Sequence, residues 1–211
     1  SYDKDETMKR MKNLSLMTDN LLYSSIPDII LWPEAPLIIP YNKIKESYYD
    51  NILRKLPSTT SLVTGSFYED DDNIYNSIVN ISDPSNVYHK KHLVPFGEYL
   101  PYREKLSFIY KFIGLDIYDI SKGKISNIVD INGLKAFSLI CYESIFSKEA
   151  LINNSEADFI LNVSNDGWFG DSLASYQHLD ALRMRALENQ RYAIRSANNG
   201  ISAIINPIGK I

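Results

Sequence analysis

Three apolar segments of this 211-residue chain end in a side chain that could do chemistry, and strand ends are where sheet proteins often place it. In Ile30-Leu31-Trp32-Pro33-Glu34-Ala35-Pro36 a single carboxylate, Glu34, stands between two prolines. Prolines fix the backbone on both sides, which suits a general base whose reach to a proton must be held to hydrogen-bond length. A surface glutamate in a proline-rich turn is the plainer reading, and this segment alone leaves both open. In the stretch from Val87 to Val94 an extended backbone puts Tyr88, Lys90 and His92 on one face and His89, Lys91 and Leu93 on the other. One of the two adjacent lysines then points inward, where a cation beside carboxylates can stabilise an oxyanion; two solvated edge lysines are the alternative. The third segment, Ala136-Phe137-Ser138-Leu139-Ile140-Cys141, ends in the chain's only thiol, just before a helix predicted to begin near Phe146. A helix N-terminus and a nearby cation favour a thiolate, whereas a lone buried cysteine is otherwise inert filler.

Other chemistries find little footing. His89 and His92 would face opposite ways, His178 is the only other histidine, and a zinc site has no second cysteine to use. Asp70-Asp71-Asp72 reads as a solvated turn, so no metal and no cofactor is expected. A formal charge of −4 and a sequence pI near 5.4 argue against a nucleic-acid partner, which needs clustered Lys and Arg in excess. With 45% hydrophobic and 23% charged residues the composition is that of a globular domain, and no run approaches the roughly 18 apolar residues of a membrane span.

The elements that must position these residues follow from periodicity. Met8, Met11, Leu14, Leu16, Met17, Leu21 and Leu22 predict an amphipathic helix from about 6 to 24. Strands are predicted at 28–32, 61–67, 73–81 and 86–94, then at 125–131 and 134–142 around Asn132-Gly133, a dipeptide that favours a type I′ hairpin turn. A strand at 158–163, a long helix at 172–196 and a strand at 201–206 close the chain. Helix-separated strands mixed with hairpins predict an α/β fold, sheets with helices packed on their outer faces. The last helix carries Arg183, Arg185, Arg191 and Arg195, four of seven arginines, read as ion-pairing partners of Glu188 and its neighbours more readily than as a lipid-phosphate site.

The order Glu34, Lys90, Cys141, in the contexts Trp-Pro-Glu, Tyr-x-Lys-x-His-Leu and Cys-Tyr-Glu, resembles the Glu-Lys-Cys triad of the nitrilase (carbon–nitrogen hydrolase) superfamily. Within it the chain is most similar to the bacterial apolipoprotein N-acyltransferase family. That similarity lies in Trp32-Pro-Glu-Ala-Pro36, His92-Leu-Val-Pro-Phe-Gly-Glu-Tyr-Leu-Pro101, Asn165-Asp-Gly-Trp-Phe-Gly170, Gln177-His178 leading to Arg183-Met-Arg-Ala-Leu-Glu188, and Arg195-Ser-Ala-Asn-Asn-Gly200. The resemblance implies an α-β-β-α sandwich of two mixed sheets. It also implies Glu34 as general base, Lys90 as oxyanion-stabilising cation and Cys141 as nucleophile. Glu98 would brace Lys90 and Glu34, the Tyr142 amide would join the oxyanion hole, and Glu143 would sit beside the triad. Trp168 would stand at the pocket mouth against an acyl chain.

The chemistry so implied is ping-pong acyl transfer from a phospholipid acyl donor, through a Cys141 thioester, to the α-amino group of a diacylglyceryl-modified apolipoprotein acceptor. The family works at the bacterial inner membrane with its catalytic domain facing the periplasm. Its members carry a multi-helix membrane domain before this region, an opening strand upstream of the first helix, and further catalytic sequence with a closing membrane helix after it. Residues 1–211 are therefore expected to be one catalytic domain, incomplete at both ends, and prone to associate through an open sheet edge. A soluble amidase of the same superfamily acting on a small carbon–nitrogen substrate is the first alternative. A non-catalytic lipid- or protein-binding module on the same scaffold is the second.

Overall fold

The computed structural model describes residues 4–71, 73–112, 119–124, 126–152 and 156–211; Asp72 of the acidic run and Ile125 of the predicted hairpin lie outside them. Helix α1 (Lys4–Ser24) forms where the periodicity places it, but its buried stripe is narrower than expected. Thr7 and Thr18 are buried and Met11, Leu14 and Leu22 pack on the core, at helical spacing, while Met8, Leu16 and Met17 face outward. Strand β1 (Ile29–Trp32) follows, and a crossover built from α2 (Tyr41–Ile44), a π-helical turn (Lys45–Tyr49) and α3 (Asp50–Leu53) leads to β2 (Ser61–Asp70). The crossover has no clear hydrophobic period in sequence; Tyr41, Tyr48 and Tyr49 anchor it by packing against Trp32 and one another.

Strands β3 (Asn73–Asn80) and β4 (Val87–His89) complete a four-stranded sheet in the order β1-β2-β3-β4, with only β1 and β2 parallel. Helix α4 (Arg103–Phe112) lies in the long connection to the second sheet. That sheet runs β5 (Ile128–Ile131), β6 (Leu134–Ile140), β7 (Phe159–Asn165), β8 (Ala193–Asn198) and β9 (Ala203–Ile205), parallel at its centre and antiparallel at both edges. The β5–β6 turn has Asn132 and Gly133 at φ 55° and 82°, the left-handed pair a type I′ turn requires.

Alternation along the strands sorts the core into three layers. Val63, Ile78, Tyr88, Val129, Ile140, Leu161 and Val163 meet between the two sheets. Their sequence neighbours turn outward: Leu62 and Val79 toward α1 and the crossover, Leu139 and Ile160 toward α5 (Ala174–Asn189). The result is the α-β-β-α sandwich expected. No described helix is long and apolar enough to cross a membrane.

Three sequence expectations need correction. The strand predicted to reach residue 94 ends at His89, so alternation holds for Tyr88 and Lys90 but not for half-exposed His92. The helix expected from Phe146 does not form among the described residues; a 3-10 turn, Cys141–Ile145, precedes it, and the buried Glu143 carboxylate of that turn accepts from the Ile140 N–H. The long final helix stops at Asn189, where Gln190 adopts a left-handed conformation (φ 51°), and β8 follows. Arg191 and Arg195 therefore lie beyond the helix.

Leu161 is fully buried between the sheets. Leu161→Ala should cost about 2–5 kcal/mol of stability, read as a lower urea midpoint with an unchanged denaturant slope. A loss below about 0.5 kcal/mol would contradict this core assignment.

Candidate active site

The C-terminal ends of strands from both sheets converge on one cavity. Glu34 lies two residues past β1, Lys90 directly past β4, Cys141 directly past β6 and Asn165 at the end of β7. Such ends leave backbone free to turn and aim a side chain while the strands hold its root. Gly65 in β2 makes room for Glu34: a Cβ there would stand 2.5 Å from the Glu34 Cα. The Pro33 carbonyl accepts from the Gly65 N–H at 3.1 Å, and the Glu34 carbonyl accepts from Asn198 Nδ2 at 2.8 Å. Cys141 has φ 48°, a left-handed conformation that costs a non-glycine residue about 1–2 kcal/mol and so must be held by its surroundings.

Lys90 is 1% exposed. Its Nζ lies 2.9 Å from Glu98 Oε1 and 3.7 Å from Glu34 Oε1. Asn76 Nδ2 donates to the same two oxygens, each at 2.8 Å, so one amide and one ammonium bridge two carboxylates. Burial opposes the charge on Lys90, yet Glu34 and Glu98, with Cys141, outweigh it and hold the ammonium above its usual pKa. For Glu34 burial dominates and raises the carboxyl pKa; Lys90 and the Asn76 hydrogen bond oppose it, and Glu98 adds to it. Burial, then the Glu34 charge, push the Cys141 thiol up to about 12, against the lowering effects of Lys90 and a Ser164 hydrogen bond. Glu34 Oε2 is buried without a hydrogen-bond partner among the described residues, a free lone-pair site on the group best placed to receive a proton.

The cavity, about 570 Å³, is lined by Glu34, Lys90, Glu98 and Cys141 at its base. Val94, Pro95, Phe96, Ile145, Trp168 and Phe169 form apolar walls. Trp168 lines the cavity and is 81% exposed, and Phe96, also in its wall, is 56% exposed. Tyr142 also lines the cavity. Glu143 does not; it is buried behind Cys141, accepting from the Ile140, Lys91 and His92 N–H groups and from the Tyr88 hydroxyl at 2.8–3.0 Å. Among the described residues no group of three His, Cys, Asp or Glu side chains is gathered as a metal would need.

Arg185 pairs with Glu188 at 2.8 Å as expected, but Arg191 donates instead to the Ala157 carbonyl. Arg195 belongs to a buried cluster with Asp166 and Asn162 that sequence reading does not foresee. Asn76, the bridge between the two carboxylates, is likewise missed: asparagine inside an alternating strand carries no signal until its neighbours across the fold are known.

The fold is that of the nitrilase superfamily: Nit3 of Saccharomyces cerevisiae, a member of its branch 10, matches 97% of this chain and 79% of its own with a TM-score of 0.68 at 19% identity. The chain belongs to the carbon–nitrogen hydrolase family, whose model matches residues 28–211. Among curated relatives, the apolipoprotein N-acyltransferase of Wigglesworthia glossinidia brevipalpis is 37% identical over 224 residues, covering 99% of this chain and 43% of the relative. That of Rickettsia prowazekii (strain Madrid E) is 41% identical over 197 residues, covering 87% of this chain and 38% of the relative. The chain thus spans less than half the length of these relatives.

Because the Glu34 charge raises the thiol pKa, Glu34→Gln should shift the pH midpoint of Cys141 alkylation by iodoacetamide downward. An unchanged or higher midpoint would contradict the electrostatic assignment. Gly65→Ala should force the Glu34 backbone away and cost about 1–3 kcal/mol of stability, read as a lower urea midpoint. Wild-type stability in that variant would contradict the close approach.

Proposed function

We propose that the protein is an apolipoprotein N-acyltransferase, moving an acyl chain from a phospholipid to the α-amino group of a diacylglyceryl-cysteine at a lipoprotein N-terminus. The observation that carries this reading is one cavity joining a cysteine, a buried carboxylate and a buried ammonium beneath apolar walls. The names of the relatives support the substrate classes. Exposed Phe96, Ile145 and Trp168 in the cavity walls support an apolar substrate delivered from a lipid surface. By the same relationship the enzyme works at the bacterial inner membrane, this catalytic domain facing the periplasm.

In the first half-reaction Glu34 takes the thiol proton as Sγ attacks the ester carbonyl carbon. The raised pKa of Glu34 suits it to hold that proton. Lys90 and backbone amides receive the oxyanion, the carbon–oxygen bond breaks, and Glu34 returns the proton to the departing lysophospholipid. In the second half-reaction the acceptor amine attacks the thioester, Glu34 takes its proton, the carbon–sulfur bond breaks, and the thiolate recovers a proton from Glu34. Apolar walls keep water from the thioester between the two steps. Glu98 holds Lys90 in place throughout, and Glu143 holds the turn that carries Cys141.

Incubating the full-length protein with a phospholipid labelled in its acyl chain should leave label on Cys141 that hydroxylamine releases, and none in Cys141→Ala. No adduct, or an equal adduct in the variant, would overturn the proposal.

A further inference from the structure

Behind Cys141 lies a buried polar cluster that the chemistry above does not use. His178 of α5 is 5% exposed, with Nε2 2.9 Å from the Cys141 carbonyl oxygen and Nδ1 3.0 Å from Asp166 Oδ1. A carbonyl oxygen only accepts, so Nε2 donates to it, while Nδ1 faces the Arg195 Nη2 donor at 3.3 Å as well as the Asp166 carboxylate. The ring is fixed from several sides. Arg195 Nη2 donates to both Asp166 oxygens at 3.0 and 2.8 Å, and Ser164 Oγ donates to Oδ1 at 2.8 Å. Arg195 Nη1 donates to Asn162 Oδ1 at 2.6 Å, and Asn162 Nδ2 donates to the Leu139 carbonyl at 3.0 Å. Phe169 meets the imidazole edge-on at 5.8 Å. An imidazole so anchored is a rigid post: it lines the cavity and its Nε2 reaches the main chain of the candidate nucleophile.

Peptide planarity gives that contact a consequence. In a trans peptide the carbonyl of residue 141 and the N–H of residue 142 point in opposite directions within one plane. Holding the Cys141 oxygen on His178 therefore fixes where the Tyr142 N–H points. Tyr142 lies in the first turn of a 3-10 segment, where an N–H has no upstream carbonyl within the segment to bond. It is also the amide next to the thiol. The left-handed φ of Cys141 has to be held by its surroundings, and its carbonyl is gripped from two sides, accepting from Ser144 Oγ at 3.0 Å within the turn and from His178 Nε2 across the fold.

We infer that His178 is a positioning residue: by anchoring the Cys141 carbonyl it aims the Tyr142 amide at the oxyanion formed when Cys141 attacks an acyl carbonyl. The inference rests on Cys141 being an acyl-accepting nucleophile, and its test uses two reagents that do not require the natural lipid. With para-nitrophenyl butyrate, Sγ forms a bond to the carbonyl carbon, Glu34 takes the thiol proton and nitrophenolate leaves, through an oxyanion. With iodoacetamide, Sγ displaces iodide from a saturated carbon and no oxyanion forms. His178→Leu should slow the acylation burst about 30–100-fold while alkylation at the same pH stays within about 2-fold. His178→Gln, whose amide can replace the Nε2 donor, should recover most of the loss. Should His178→Leu fail to fold, Asp166→Asn, which leaves the imidazole but loosens its anchor, should show the same selective loss of acylation to a smaller degree. Parallel losses with both reagents, no loss in either, or a Gln variant as slow as the Leu variant would overturn the inference. No acylation of the unaltered protein would overturn the acyl-carrier reading and the inference with it.

Discussion

A lysine ammonium with 1% exposure between two carboxylates is the constraint on which the rest of the site depends. An isolated ammonium there would lose several kcal/mol of hydration, and only close opposite charges with saturating hydrogen bonds make its burial tolerable. Its partners come from separate places in the chain: Glu34 from the end of β1 and Glu98 from the loop after β4, both tied by Asn76 of β3. Glu98 is itself held, with Oε2 accepting from the Val94 N–H at 2.8 Å. The first sheet and its loop must close for the charges to meet.

The same cluster bears on the resting state of the thiol. Burial first, and then the Glu34 charge, disfavour the Cys141 thiolate against the opposing pull of Lys90. In the proposed mechanism, moving the thiol proton onto Glu34 removes one negative charge as the new one forms on the substrate oxygen, and Lys90 is then shared between Glu98 and the oxyanion in place of two carboxylates. A reagent that offers no proton-coupled route meets a reluctant thiol; an acyl substrate meets a base and a cation already in register.

A second buried carboxylate, Glu143, does for the backbone what Lys90 does for the charges. It joins the end of β6 to the chain just past β4, one strand from each sheet. That Glu34, Lys90 and Cys141 belong together was legible because each sits in a short segment whose residue types and context carry a strong signal, and the three line one cavity. The sheets were legible too, because inward and outward faces alternate cleanly in β2, β3, β6 and β7. What stayed hidden was decided by contacts distant in sequence: the tyrosine-packed crossover, the shortened α5, and the bridging roles of Asn76, Asp166 and Arg195. The helix expected from Phe146 does not form among the described residues, and the 3-10 turn before it buries the Glu143 side chain.

The proposed transfer requires the cavity to hand an acyl group to an amine and not to water. The most direct measurement loads Cys141 of the full-length protein with a labelled acyl chain in a single turnover. A diacylglyceryl-cysteinyl peptide is then added, and label is followed into peptide and into free fatty acid. Most label should appear on the peptide α-amino group, with slow loss to water when the peptide is absent. Release of the label as fatty acid at the same rate with or without the peptide would contradict transfer to an amine.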